Sequence, residues 1–244
     1  MDYLKFSEAC EKIIGAEREK NGIGTLSEKT LHAILKNYIE PDKNFQEIKV
    51  GSFVADICKG NEITEIQTRS FDKLRKKLEC FLEENTVTVV YPVASTKWLY
   101  WIDETGTVTK KRKSPKTGMP YEIFFELYKI KYLLTNPNLK LCIIMFDIEE
   151  YRYLNGWSKD RKKGSSRCDR IPVGIVDEIN INSLSEYSKL IPETLPARFT
   201  SKDFKAATHL SISNAQTALN VLNHIGAVKR VGKAGNLYLY ERVI

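Results

Sequence analysis

The sequence predicts a mixed α/β chain followed by a small module of two short helices and a β-hairpin. Three observations carry that reading. Apolar stripes of helical period alternate with segments of period two, a Gly60-Asn61 pair joins two alternating segments, and two successive helix caps near residues 200 and 211 precede a basic hairpin. At 244 residues and 42% hydrophobic content the chain can bury one large core or two modest ones.

The elements follow in order. Residues 7–20 form a short helix with Cys10, Ile13 and Ile14, stopped at Gly22. Thr25-Leu26-Ser27-Glu28 opens a second helix with Leu31, Ile34, Leu35, Tyr38 and Ile39 at helical spacing, ended by Pro41. A strand over residues 45–50 leads into the hairpin of residues 52–59 and 62–68. Ser70 opens a helix with Phe71, Leu74, Leu78, Phe81 and Leu82 on one face, and strands follow at 86–93 and 97–102. The basic run Lys110-Lys111-Arg112-Lys113-Ser114-Pro115-Lys116 closes a hairpin, either as a phosphate clamp or as a solvated loop. A helix over 121–134 precedes residues 139–146, whose unbroken apolar character marks an interior strand. Residues 159–167 are a second basic loop, and 183–196, with Pro192 and Pro196, read as a linker.

The hairpin holds the most informative pair. A two-residue turn at Gly60-Asn61 sets Asp56 opposite Glu65. Facing residues have Cβ atoms about 4.5 to 5.5 Å apart, where two carboxylates repel by roughly 3 kcal/mol at an effective dielectric near 20. A divalent cation offsets that repulsion; so would a solvated strand end, a register slipped by one, or a protonated carboxyl. By alternation Asp56, Glu65 and Gln67 share a face with Val54, Cys58 and Ile63, and Phe53, Ala55, Ile57 and Ile66 make the other face apolar.

Helix, meander, helix and further strands, with Asp56, a spacer and Glu65-Ile66-Gln67, resemble the PD-(D/E)xK nuclease superfamily in its variant where Gln replaces the motif lysine. The resemblance covers roughly residues 25–102 and implies a restriction-endonuclease-like mixed sheet flanked by helices. It also implies Mg²⁺ (or Mn²⁺) held by Asp56, Glu65 and the Ile66 carbonyl, with Glu28 assisting and Gln67 at the lysine position. No Pro precedes Asp56, and Gln67 only orients water where a lysine would add charge. Lys73 or Lys49 are the candidates to supply that charge, and each reads more readily as a solvated surface lysine. Glu28 has a second reading, because Thr25-x-x-Glu28 is also a capping box.

Residues 199–243 look like a winged helix-turn-helix. Thr200 or Ser201 caps a short helix with Phe204 and Ala207, and residues 210–213 give a turn and a new cap. A second helix follows with Ala215, Ala218, Leu219, Leu222 and Ile225, stopped by Gly226. Its other face holds Asn214, Gln216, Thr217, Asn220 and Asn223, and residues 228–231 and 237–240 make a wing around a turn at 232–236. The resemblance implies base contacts from Asn214, Gln216, Thr217 and Asn220, and phosphate contacts from Lys229, Arg230 and Lys233. Residues 198–244 carry seven basic and two acidic side chains, most of the chain's net +7, the footprint of a polyanion binder. Such modules also serve as protein contacts.

No apolar run approaches a membrane span, and Met1-Asp2-Tyr3-Leu4-Lys5 lacks the plan of a signal peptide, so a cytoplasmic site and no membrane partner are expected. The five cysteines have no metal-type spacing and are expected to be reduced and structural. The resulting expectation is a nuclease-like domain over 1–182, a linker over 183–196 and a winged helix over 197–244, together a metal-dependent enzyme hydrolysing phosphodiesters in nucleic acid, DNA before RNA, with room for a homodimer. The alternative is a non-catalytic nuclease-like scaffold that acts as a DNA-binding regulator; a protein-interaction adaptor is a third class.

Overall fold

Why a strand meander should turn back into a parallel pair is set by one short crossover. In the computed structural model, which describes residues 2–21, 29–155 and 164–243, strands β1 (Gln46–Val50), β2 (Phe53–Lys59) and β3 (Glu62–Ile66) are neighbours in that order. Strand β4 (Thr86–Ile102) then lies parallel to β3, with Ile63 level with Val87 and Ile66 with Val90. A parallel partner cannot be reached by a tight turn, so a 3₁₀ turn over Phe71–Leu74 and helix α1 of this sheet, Arg75–Phe81, make the connection. Strands β5 (Arg112–Lys113), β6 (Leu139–Tyr153) and β7 (Ser166–Ile181) complete a seven-stranded mixed sheet in which β5 pairs with β4 alone. The chain is thus mixed α/β, with its sheet flanked by helices.

Two compact units divide the chain, and the long strands β4, β6 and β7 pass through both. The first comprises Met1–Gln46, Pro92–Gly118 and Ile144–Glu178. In it the helices Tyr3–Asn21 and Lys29–Ile39 bring Phe6 into a stack on Phe146 and edge-on to Tyr38, both at 5.7 Å between centroids. The buried Glu150 is held between Arg152 at 2.6 Å and Arg170 at 3.0 Å. Tyr100 stacks on Tyr151 at 4.8 Å, and both hydroxyls donate to Glu149. At Gly118 any Cβ would collide with the Ala94 carbonyl, so only glycine fits there.

The second unit comprises Glu47–Tyr91, Met119–Ile143 and Ile179–Ile244. Phe71, Phe81, Leu78 and Ile63 are all buried in it, and Phe53 and Tyr91 pack edge-on to Phe81 and Phe71. Helix α2 of this unit, Ile123–Lys129, sets Phe124 against Phe204 at 6.4 Å. The C-terminal module is a three-stranded sheet, β8 (Arg198–Phe199), β10 (Leu237–Arg242) and β9 (Val228–Ala234) in that spatial order, with helices α3 (Ser201–Thr208) and α4 (Ile212–His224) between β8 and β9. Thr200 and Asp203 form a full capping box, Ser211 caps α4 through the Asn214 amide, and Gly226 at φ +80° ends the α4 segment.

Several sequence expectations change. Ser70 does not cap a helix: it sits at φ +61° with no capping bond, and the Phe71 N–H is satisfied at 2.8 Å by the buried Glu126 carboxylate instead. The two strands expected at 86–93 and 97–102 are one strand of 17 residues, because no turn pair interrupts it and Asp147 accepts the Thr96 N–H at 3.1 Å. The helix expected over 121–134 is α-helical only at Ile123–Lys129, with single 3₁₀ turns on either side, since Ile130 leaves the helical region at ψ +23°. The segment 183–196 holds a 3₁₀ helix, Leu184–Leu190, with Tyr187, Leu190, Ile191 and Leu195 buried, an apolar payload no free linker carries. The hairpin of β9 and β10 turns at Gly235-Asn236, a second Gly-Asn pair with its glycine at φ +60°, rather than across 232–236. None of the five cysteines, all of them described, is in a disulfide, and burial pushes the Cys10 thiol up to about 11.

Candidate functional site

Strand β2 pairs with β3 through Ile57 and Thr64, Cys58 and Ile63, and Lys59 and Glu62, around Gly60 at φ +62°. One more step of that register brings Asp56 opposite Glu65, as the turn dipeptide requires. There the carboxylates take over from the main-chain ladder. The Asp56 N–H donates to Glu65 Oε1 at 3.1 Å, and the Ile66 N–H donates to Asp56 Oδ2 at 2.8 Å. Each acid thus anchors the other's strand, which fixes both side chains without help from a long loop.

Glu65 is 2% exposed, so its charge has lost nearly all its water. Burial, reinforced by the neighbouring Asp56 carboxylate, pushes its carboxyl up to about 7 despite an opposing lysine. That lysine is Lys77, whose ammonium lies 2.5 Å from Glu65 Oε2 and 5.6 Å from the centre of the Phe81 ring. Sequence reasoning missed Lys77. The signal was present: with Leu74 three residues before it and Phe81 four after, Lys77 lies within the apolar stripe of its helix.

The other expected residues fall as follows. Gln67 gives its main-chain N–H to the Val90 carbonyl at 2.9 Å and its side-chain amide to the carbonyl of Arg69, which turns the amide nitrogen back onto its own loop. Lys49 and Lys73 are both exposed, on β1 and in the 3₁₀ turn, as the solvated reading of each has it, and Lys77 holds the place beside the carboxylates. Glu28 lies outside the described residues, as does most of the basic loop 159–167. Among the described residues no cluster of three or more His, Cys, Asp or Glu side chains could hold a metal ion. Two carboxylates still suit Mg²⁺, which commonly takes one or two from protein and the rest of its oxygens from water and phosphate. The fit rests on the like-charged pair itself, whose repulsion a hard cation would relieve.

In the C-terminal module Asn214 and Gln216 are exposed at the start of α4 and Thr217 is half-buried, its hydroxyl donating to the Ser213 carbonyl at 3.1 Å. Asn220 instead accepts from Lys131 at 3.1 Å, so its amide oxygen already serves the packing of α4. On strand β9 Lys229, Arg230 and Lys233 are exposed, and the Arg230 guanidinium lies 4.1 Å from the centre of the Tyr238 ring. The run 110–116 contains β5, where Lys111 pairs with Glu149 at 2.9 Å and sits 4.7 Å over Trp98.

No helix among the described residues is long and apolar enough to cross a membrane. A family model described as a domain of unknown function (DUF8091) matches residues 29–182, a span that contains Asp56, Glu65 and Lys77. An uncharacterized protein of Treponema pallidum (strain Nichols) is 27% identical over 221 residues, covering 90% of this chain and 87% of that protein. No solved structure matches the chain.

Proposed function

This chain belongs to the DUF8091 family, and on that premise we propose that it is a metal-dependent phosphodiesterase of restriction-endonuclease-like fold acting on nucleic acid, targeted by a C-terminal winged helix. The observation that carries the reading is the Asp56 and Glu65 pair, on adjacent strands, with the Lys77 ammonium against it. The order helix, β1, β2, β3, helix, β4, with β3 parallel to β4, supports the same fold.

Asp56, Glu65 and the Ile66 carbonyl would hold the cation. When bound, Mg²⁺ or Mn²⁺ supplies charge neutralisation at the scissile phosphate and a more acidic water. Glu65 must give up its proton to take part, which a carboxyl near 7 does readily at neutral pH. Lys77 favours the ionised form of Glu65 against burial and Asp56 and, once freed from it, provides the positive charge that Gln67 lacks. Asn214, Gln216 and Thr217 would read base edges, and Lys229, Arg230 and Lys233 would meet phosphate; the exposure of Asn214, Gln216 and the three basic residues supports this.

Purified protein with Mg²⁺ or Mn²⁺ should cleave DNA or RNA, and Asp56→Asn or Glu65→Gln should abolish cleavage while leaving binding intact. A second reading, a nuclease-like scaffold working as a DNA-binding regulator, is favoured by one feature, the Gln67 amide committed to the Arg69 carbonyl. Gln67→Lys separates the two. If both wild type and Gln67→Lys fold, bind metal and cut neither nucleic acid, the regulator stands.

A further inference from the structure

A cavity of about 480 Å³ opens in the second unit between the 3₁₀ helix Leu184–Leu190, the end of α4 and strand β10. Its floor is apolar, from Ile191, Ile225 and Ala227, and its mouth carries the exposed Ser188. Arg242 supplies the charge. One guanidinium nitrogen donates to the Pro192 carbonyl, but Nε is buried and has no acceptor, one of three such orphaned side-chain atoms among the described residues. None of the residues lining the cavity is acidic. The adjacent carboxylates are engaged elsewhere: Glu241 reaches Lys229 at 3.8 Å, and Glu186 holds Lys189 at 2.9 Å and the Asn182 N–H at 3.0 Å. Arg242 is half-buried, no acidic side chain lines the cavity with it, and its buried Nε lacks an acceptor among the described residues, so the hydrogen bonding of this guanidinium is incomplete.

We propose that this cavity binds a small organic monocarboxylate, its carboxylate on the Arg242 guanidinium and its hydrocarbon part against Ile191, Ile225 and Ala227. The volume lies within the range of small-molecule sites, roughly 300 to 1,000 Å³, and a guanidinium gives a carboxylate a charge-assisted hydrogen bond. This site is independent of the phosphodiesterase reading, since it shares no residue with Asp56, Glu65 or Lys77.

The test is thermal unfolding of the full chain with sodium octanoate as the probe and octanol as its uncharged counterpart. Octanoate should raise the melting temperature saturably and octanol should not. Arg242→Gln should weaken octanoate by about ten- to a hundredfold, the loss expected for a hydrogen bond to a charged group. Where that variant fails to fold, Ser188→Trp decides, because it fills the exposed mouth without altering the core and should remove the shift. No octanoate shift at millimolar concentration overturns the proposal, as do an equal shift with octanol or a shift retained in Ser188→Trp.

Discussion

Lys77 lies 2.5 Å from Glu65 Oε2, the oxygen other than the one that accepts the Asp56 N–H, so a cation of the chain stands beside this pair of acids. Asp56 and burial drive Glu65 toward its neutral form, and Lys77 opposes them.

Stability should therefore depend on pH through Glu65. Its carboxyl is raised in the fold, from 4.5 to about 7, so the stability it contributes is fully present below about pH 4.5 and is lost as pH rises through 7. The span is worth on the order of 3 kcal/mol. Urea unfolding of metal-free protein between pH 5 and 8 should show that fall, and Glu65→Gln should flatten it. An identical slope in the variant would remove Glu65 as the source.

Divalent cations should act in the opposite direction. Mg²⁺ competes with the proton on Glu65, so its stabilising effect should be larger at pH 8 than at pH 6 and absent in Asp56→Ala. Melting curves with and without Mg²⁺ at the two pH values check this.

Lys77→Met tests whether the ammonium is functional or merely a partner. Without it Glu65 is raised further, so the variant should be destabilised more at pH 8 than at pH 5.5. For an active enzyme its cleavage should fall by about a hundredfold or more, with nucleic-acid affinity nearly unchanged. Rescue by Lys77→Arg would identify charge as the requirement.

The wing should bind by charge and α4 by shape. Each of Lys229→Ala, Arg230→Ala and Lys233→Ala should lower the salt dependence of binding by about one counterion, equally for all sequences. Gln216→Ala should change the ratio between sequences, measured by competition at fixed salt. A module that binds neither duplex nor single strand at low salt would instead be a protein contact.

Glu126→Ala should cost about 2 to 4 kcal/mol, since it strands the buried Phe71 N–H and leaves Lys129 without its nearest counter-ion at 2.9 Å. Chemical denaturation gives the value, and a loss under about 0.5 kcal/mol would mean that water replaces the carboxylate.

The sequence by itself determined the features that are local. Gly60-Asn61 is enough to set the β2 and β3 register, because only a left-handed glycine closes that tight turn, and the register alone makes Asp56 and Glu65 neighbours. Thr200 with Asp203, Ser211 and Gly226 likewise announce the ends of two helices, since capping acts within a single turn. The tertiary structure decided whatever depends on atoms distant in the chain. Glu126, 55 residues from Phe71, took over the cap that Ser70 was expected to give, and Lys77 rather than Lys49 or Lys73 reached Glu65 because the 3₁₀ turn before its helix sets which face meets the sheet. The burial of Tyr187 and Leu190 was equally invisible, for a segment with two prolines reads as a linker until an apolar surface is brought against it. Backbone geometry and capping are written in neighbouring residues, whereas burial, and with it the raised carboxyl of Glu65, exists only once the strands and helices have packed.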